Sequence, residues 1–335
     1  MITNPSENQV TEALFQRLGK KRHGRDEMNL CELPFATLSE RNSGRNTLHY
    51  ELEEFDTRQK KHVRRTLSVY GDARYGLPTE KDEEIYLGLL KLTHDYHGFR
   101  DPVVHFSRGA LFELMGWPKS DWAYKRLTTG MHRLVGVRLD YQNLWRDNQD
   151  KEWRDQGAFG ILDSFEFRDA RAAGSQASFT EQHSLFRWGS VLFKSFRSGY
   201  LKQIDYDLVR DLSPTARRLY RYLDKYFYPP HKTMITIDLK RLAYEHIGIS
   251  RNTKLDKVRK RYIGPAAEEL IRAGYLKPDE AELFQMLRVG NWTASFQLNQ
   301  DSRIDPKPVE QGENKLVVAL CRRGISQQLA QELTA

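Results

Sequence analysis

Two cysteines, Cys31 and Cys321, are all that the 335 residues carry, which excludes a disulfide framework, a four-cysteine zinc site and an iron–sulfur cluster. Long apolar runs are missing too. The longest clean one, Leu316 to Cys321, falls far short of the ~18 residues that cross a bilayer. The opening MITNPSENQV lacks the basic-then-apolar order of a signal peptide, so a reducing, cytoplasmic setting is expected. Neither G-x-x-x-x-G-K-[ST] nor G-x-G-x-x-G occurs, which removes the usual phosphate cradles. The ten histidines include no His-x-His pair. What is present suffices for a core: 39% hydrophobic and 11% aromatic residues, in a length that suggests two globular units at about 150 residues each.

The net charge of +8 is concentrated rather than spread. Lys202 to Arg272 holds 16 Lys and Arg against nine Asp and Glu, so nearly all of the excess lies in one fifth of the chain. Within it, Arg251 to Arg261 carries Arg251, Lys254, Lys257, Arg259, Lys260 and Arg261 with one acid, Asp256. A density of that kind suits a polyanion, although a solvated helix face looks the same in sequence.

Residues 1–65 read as a basic N-terminal extension, loosely packed up to about residue 47, with Val10, Leu14 and Leu18 at helical spacing and basic clusters at Lys20–Arg25 and Lys60–Arg65. Thr79 with Asp82, Glu83 and Glu84 starts a helix over about 80–96. Val103–Phe106 is a strand, Ser107 caps a helix to Met115, and Ser120 or Asp121 caps another that ends near Gly136. A strand from Val137, a polar loop over 146–156 and a return strand through Phe159 and Phe167 follow. The same order recurs from Ser213. A helix ends at Pro229-Pro230, then comes a strand at Met234–Ile237 and a helix capped by Asp238. A long helix runs over about 252–273, kinked at Gly264-Pro265, and a hairpin turns at Gly290-Asn291.

Landmarks repeat at offsets of 132 to 136 residues, as in Pro78 and Pro214, which points to a duplicated module. Three helices with a wing-like hairpin match the winged helix, so the expected fold class is α+β: two tandem winged-helix modules, 66–198 with a long wing and 199–299, followed by a linker and C-terminal helices over 300–335.

In such a module the third helix lies in the major groove of double-stranded DNA and the wing reaches backbone or minor groove. The second module then offers Ser250, Arg251, Asn252, Thr253, Lys254 and Lys257 to DNA. Arg251 and Asn252 are the base-reading candidates, since Arg pairs bidentately with guanine and Asn with adenine. Lys254, Lys257, Lys260 and Arg261 suit phosphates, and Arg259 suits either. The first module offers Lys119, Ser120, Lys125 and Arg126, with Trp122 read as a core or interface residue.

No catalytic set and no cofactor site is recognisable. His94 and His97 share a helix face and could ligate a metal, yet a pair at a helix end near Gly98 reads as structural; Asp205-x-Asp207 has a Mg²⁺-like spacing that would serve a primase or nuclease, yet cap and turn roles explain it.

Three stretches carry a resemblance. Tyr75-Gly76-Leu77-Pro78-Thr79 precedes an acid-rich helix, Ser198-Gly199-Tyr200-Leu201 leads to Ile204-Asp205-Tyr206-Asp207, and Leu212-Ser213-Pro214-Thr215-Ala216-Arg217-Arg218-Leu219-Tyr220-Arg221-Tyr222-Leu223-Asp224-Lys225 is the most specific block. Together they resemble the plasmid replication initiator protein A family over about residues 65–300. The resemblance implies a nucleoid- or plasmid-associated protein that binds repeats at an origin, helps open AT-rich DNA and recruits a host initiator or helicase. It also implies monomers on origin repeats and homodimers in self-repression. A winged-helix transcriptional regulator is the competing reading; no effector-binding domain is recognisable.

Overall fold

The computed structural model describes residues 23–39, 46–56, 60–168, 183–229, 231–278 and 283–302. The readings for Val10–Leu18, Lys20, Lys21 and Arg22, and for the tail from residue 303, lie outside them.

Helix α1 (Glu80–Leu92) begins where the sequence signals it: the Asp82 carboxylate accepts the Thr79 backbone N–H at 2.7 Å, a capping box. It buries Ile85, Tyr86, Leu89, Leu90 and Leu92, runs on as a π turn (Thr93–His97) and stops at left-handed Gly98. Next come β4 (Val103–Phe106), α2 (Arg108–Met115) and α3 (Asp121–Gly136), whose first turn is capped by Ser120 Oγ accepting Ala123 N–H at 3.3 Å. Gly130 lets α3 close on α1, because a Cβ there would meet Ile85 Cδ1 at 2.4 Å.

Strands β5 (Arg138–Asp147) and β6 (Glu152–Gly160) form a hairpin, followed by β7 (Leu162–Glu166) and β8 (Ser184–Trp188). The β5–β6 hairpin joins β2 (Thr47–Asp56) and β3 (Lys61–Tyr70) in a four-stranded sheet ordered β2–β3–β5–β6. A separate sheet has the order β4–β8–β7. The expected first hairpin, Val137 outward and Phe159–Phe167 back, is therefore two hairpins, and residues 152–156 of its polar loop are strand. Alternation tells which face is buried but not which strand is the neighbour.

After α4 (Ser190–Arg197), β9 (Leu201–Asp205) and α5 (Tyr206–Asp211), the second half repeats the order. It has α6 (Pro214–Tyr226), β10 (Met234–Asp238) and α7 (Leu239–Arg241), which continues as a π turn (Leu242–His246). Then come α8 (Leu255–Val258), a π turn (Arg259–Ile263), α9 (Gly264–Arg272), β11 (Phe284–Arg288) and β12 (Asn291–Gln297). Its sheet is ordered β10–β12–β11, so in each half the strand after the first helix pairs with the last strand of the half.

The expected 252–273 helix begins three residues late, at Leu255. The Thr253 N–H bonds the Ser250 carbonyl at 2.8 Å and the Tyr244 hydroxyl donates to the Thr253 carbonyl at 2.6 Å, which holds 250–253 as a turn. Pro265 has no N–H for the Arg261 carbonyl, and the widened π turn before it is how the helix absorbs that loss.

The loosely packed N-terminal reading fails for residues 23–38. Strand β1 (His23–Glu27) pairs antiparallel with β9, and Leu30, Cys31, Leu33, Phe35 and Ala36 are buried. The segment looks polar because its acids are structural. Asp26 receives Arg221 at 2.7 and 3.0 Å, and Glu32 receives Lys225 at 2.7 Å. From α1, Glu83 pairs with Arg218 at 3.0 Å and with Arg221, while Glu84 pairs with Arg217 at 3.0 Å. Arg218 also donates to the Ile247 carbonyl at 2.9 Å. Burial alone would raise the Asp26 and Glu83 carboxyls, but the facing guanidinium groups outweigh it and hold both below the ordinary range. This buried network ties α6 of the second half to α1 of the first, with β1 and its following turn between them.

Candidate nucleic-acid interface

The basic segment is built on two anchors. On one side Val258, Ile263, Ala266, Ala267 and Leu270 are buried, which turns the intervening positions outward. On the other, Gly248 (φ +78°) makes the turn that delivers residues 249–254. A Cβ there would meet Pro34, Arg218 and Tyr50 at 3.0–3.1 Å. The buried network thus sets the backbone from which the basic segment emerges.

Ser250, Arg251, Asn252, Lys254, Lys257, Lys260 and Arg261 are exposed and Thr253 is half-buried. Arg251 and Asn252 lie in the turn before α8 rather than on the helix, correcting the expected placement. Arg251 is 59% exposed, 3.7 Å from Glu245, and also feels the charge of Glu51 on β2, an attraction that exposure makes weak. Asp256 draws Arg259 to 3.1 Å and Lys260 to 3.3 Å. Arg259 differs from its neighbours: its guanidinium lies over the Trp292 ring of β12 at 4.2 Å and is half-buried. It joins helix and hairpin, a role that charge counting could not reveal. Lys254, Lys257 and Arg261 leave a cationic strip that suits phosphate contact by charge alone.

The first half presents less charge. Lys119 is exposed but held by Glu113 at 2.6 Å, which raises the Lys119 ammonium pKa. Ser120 is occupied by capping α3, Lys125 is exposed and Arg126 is half-buried. Trp122, read from sequence as a core or interface residue, is 57% exposed, with the Trp117 ring tilted against it at 6.3 Å. The Lys60–Arg65 run lies at the start of β3, where Arg64 pairs with Glu51 at 2.7 Å and Arg65 lies over Trp153 at 4.1 Å.

The residues weighed for catalysis separate. Asp205 caps α5 by accepting the Leu208 N–H at 3.2 Å, and Asp207 pairs with Arg210 at 3.1 Å. His94 meets Asp95 at 2.8 Å while His97 meets the His105 carbonyl at 3.3 Å, and burial pushes the His97 imidazole down to about 4. Among the described residues no group of three or more His, Cys, Asp or Glu side chains gathers to hold a metal, and no helix is long and apolar enough to cross a membrane.

No curated protein sequence matches the chain. Among solved structures, the selenomethionine derivative of domains 2 and 3 of RctB is similar with a TM-score of 0.53 at 13% identity, covering 81% of this chain and 98% of that one. The Pi initiator protein in complex with iteron DNA gives a TM-score of 0.44 at 12% identity, covering 84% and 99%. The RctB likeness shows a shared mixed α and β fold with several small sheets. A family model described as Replication initiator protein A matches residues 25–261. The match starts some forty residues before the resemblance seen in sequence, and so takes in the buried acids of β1 and the turn after it. With α1, the arginines of α6 and the basic segment all inside a match to well over half of its length, this chain belongs to the replication initiator protein A family.

Proposed function

We propose that the protein binds repeated double-stranded sequences at a replicon origin through two winged-helix modules, 66–198 and 199–299, and starts replication by bringing in a host initiator or helicase rather than by chemistry of its own. One observation carries the reading: the strip from Arg251 to Arg261 faces outward on a segment whose other side is core. The repeated order of helix, strand, two helices and hairpin supports the two modules.

In this reading α8 and the turn before it enter the major groove. Arg251 and Asn252 read base edges from that turn, while Lys254, Lys257, Lys260 and Arg261 hold phosphates. Arg259 serves by bracing the hairpin. In the first module Lys119, Lys125 and Arg126 grip phosphates and Ser120 sets the start of α3. Two modules with about six to ten phosphate contacts in all give a log–log salt slope of roughly −5 to −9. Homodimers on an inverted site would serve self-repression.

Gel-shift titration of the full chain against its replicon's own repeats tests this. Binding at least 10³-fold tighter than to random duplex is expected at physiological salt. Equal affinity for the two would reject it.

A further inference from the structure

The hairpin of β11 and β12 ends in a cluster that a solvated loop does not need. Met286, Leu287 and Val289 are 53%, 60% and 95% exposed, and Arg288 between them is exposed as well. From Gln285 to Gly290 every residue is exposed, so β11 and the turn present apolar side chains to solvent, while Trp292 on the partner strand is half-buried. Its root is fixed. There the Phe284 ring comes within 3.6 Å of a Cβ placed on Gly264, and nearer the turn Arg259 lies over Trp292, which pairs across the hairpin with Met286, so β12 rests on the basic segment and leaves the β11 side of the tip to solvent.

Resting on the DNA-binding reading above, we propose that this ribbon is an apolar wedge: Met286, Leu287 and Val289 enter the minor groove beside the major groove held by α8 and unstack a pyrimidine–purine step. Apolar side chains inserted between base steps open and kink a duplex, and such steps yield most easily. An A·T minor groove lacks the guanine 2-amino group, so apolar side chains entering it meet no donor that they would leave unpaired. Arg288, Lys257, Lys260 and Arg261 supply the charge that holds the phosphates on either side.

The competing occupant is a second copy adding a strand to β11, which is the edge of its sheet. The register between β11 and β12 shifts between Met286 and Arg288, and a bulge there breaks the row of hydrogen-bonding groups that an added strand would need. That favours DNA.

The test uses the full chain on a duplex selected by that chain from a random pool, probed with permanganate, which oxidises unstacked thymines. The expected result is a hyper-reactive step beside the protected major-groove bases. The triple variant Met286→Ser, Leu287→Ser, Val289→Thr, at exposed positions, is expected to keep the footprint at higher protein concentration, lose that reactivity at least fivefold and bind about tenfold more weakly. No hyper-reactive thymine with the wild-type chain, or equal reactivity in the variant, overturns the proposal. A variant that changes only the sedimentation of the free protein overturns it too and assigns the ribbon to self-association. Failure of the full chain to select any sequence rejects the DNA-binding reading itself.

Discussion

Two stretches of this chain are rich in arginine and lysine, and they end in opposite environments. Arg217, Arg218 and Arg221 on α6 are buried, whereas Arg251, Lys254, Lys257, Lys260 and Arg261 are exposed. The first stretch sits on a helix, and the second runs from a turn onto helical segments; both have apolar residues at helical spacing. The difference lies in what faces them. Opposite α6 stand Asp26, Glu83 and Glu84, supplied by β1 and α1 from far away in sequence. Among the described residues, the acids that meet the second stretch are its own Asp256, with Glu245 and Glu51 at the margin. A cation is drawn into the interior when enough fixed acids meet it there; otherwise its desolvation cost keeps it in water. The family-specific block is therefore part of the joint between the halves, and the surface available to a polyanion lies elsewhere.

The sharpest way to break this contrast is Arg221→Ala. It strands Asp26 and Glu83 without their shared partner and should cost about 3 to 5 kcal/mol in urea unfolding, against no more than about 0.5 kcal/mol for Arg251→Ala. Similar losses for the two would remove the distinction.

Glu27 refines the buried side of the comparison, because it is fully buried with no arginine partner and burial pushes its carboxyl up to about 7, against hydrogen bonds from Ser195, Leu30 and Asn29. An acid raised above its unfolded value contributes stability that is complete below about 4.5 and lost as pH climbs through about 7. Glu27→Gln should therefore gain on the wild type across that interval, by roughly 3 kcal/mol at the top, and hold that lead at higher pH. Thermal unfolding of both proteins from pH 4 to 8 checks it, and a constant difference would show that Glu27 does not titrate there.

On the exposed side, Arg251→Ala should cost about 1 to 3 kcal/mol on the cognate duplex and relax base preference. Equal loss on random DNA would demote Arg251 to a phosphate contact. The smallest effect belongs to Lys257→Ala: a loss below about 1 kcal/mol on every sequence, with the salt slope reduced by about one. A loss confined to the cognate site would make Lys257 a base reader.

Much of the local structure was legible. Thr79 with Asp82, Ser120 and Asp238 marked helix starts, and each caps through the expected backbone donor or side-chain pair. Gly290-Asn291 marked the β11–β12 turn, and Gly290 has the positive φ that such a turn requires. A recurring order of elements was visible at offsets of 132 to 136 residues, and two three-stranded sheets have like strand orders. The N-terminal acids were not legible, since Asp26 and Glu27 read as a polar arm until Arg221 and Ser195 are seen against them. Nor was the start of α8, because the Tyr244 hydroxyl that holds the Thr253 carbonyl comes from another element.

By itself the sequence determined where the capped helices begin, which faces are apolar, and that positive charge collects between Lys202 and Arg272. Those are decided within a few residues, by backbone capping and side-chain periodicity. Only the tertiary structure decided which of those charges reach solvent, which strands pair, and which apolar side chains are left outside on the β11–β12 ribbon. Burial, ion pairing and strand registry are each the joint property of segments distant along the chain, and no local pattern contains them.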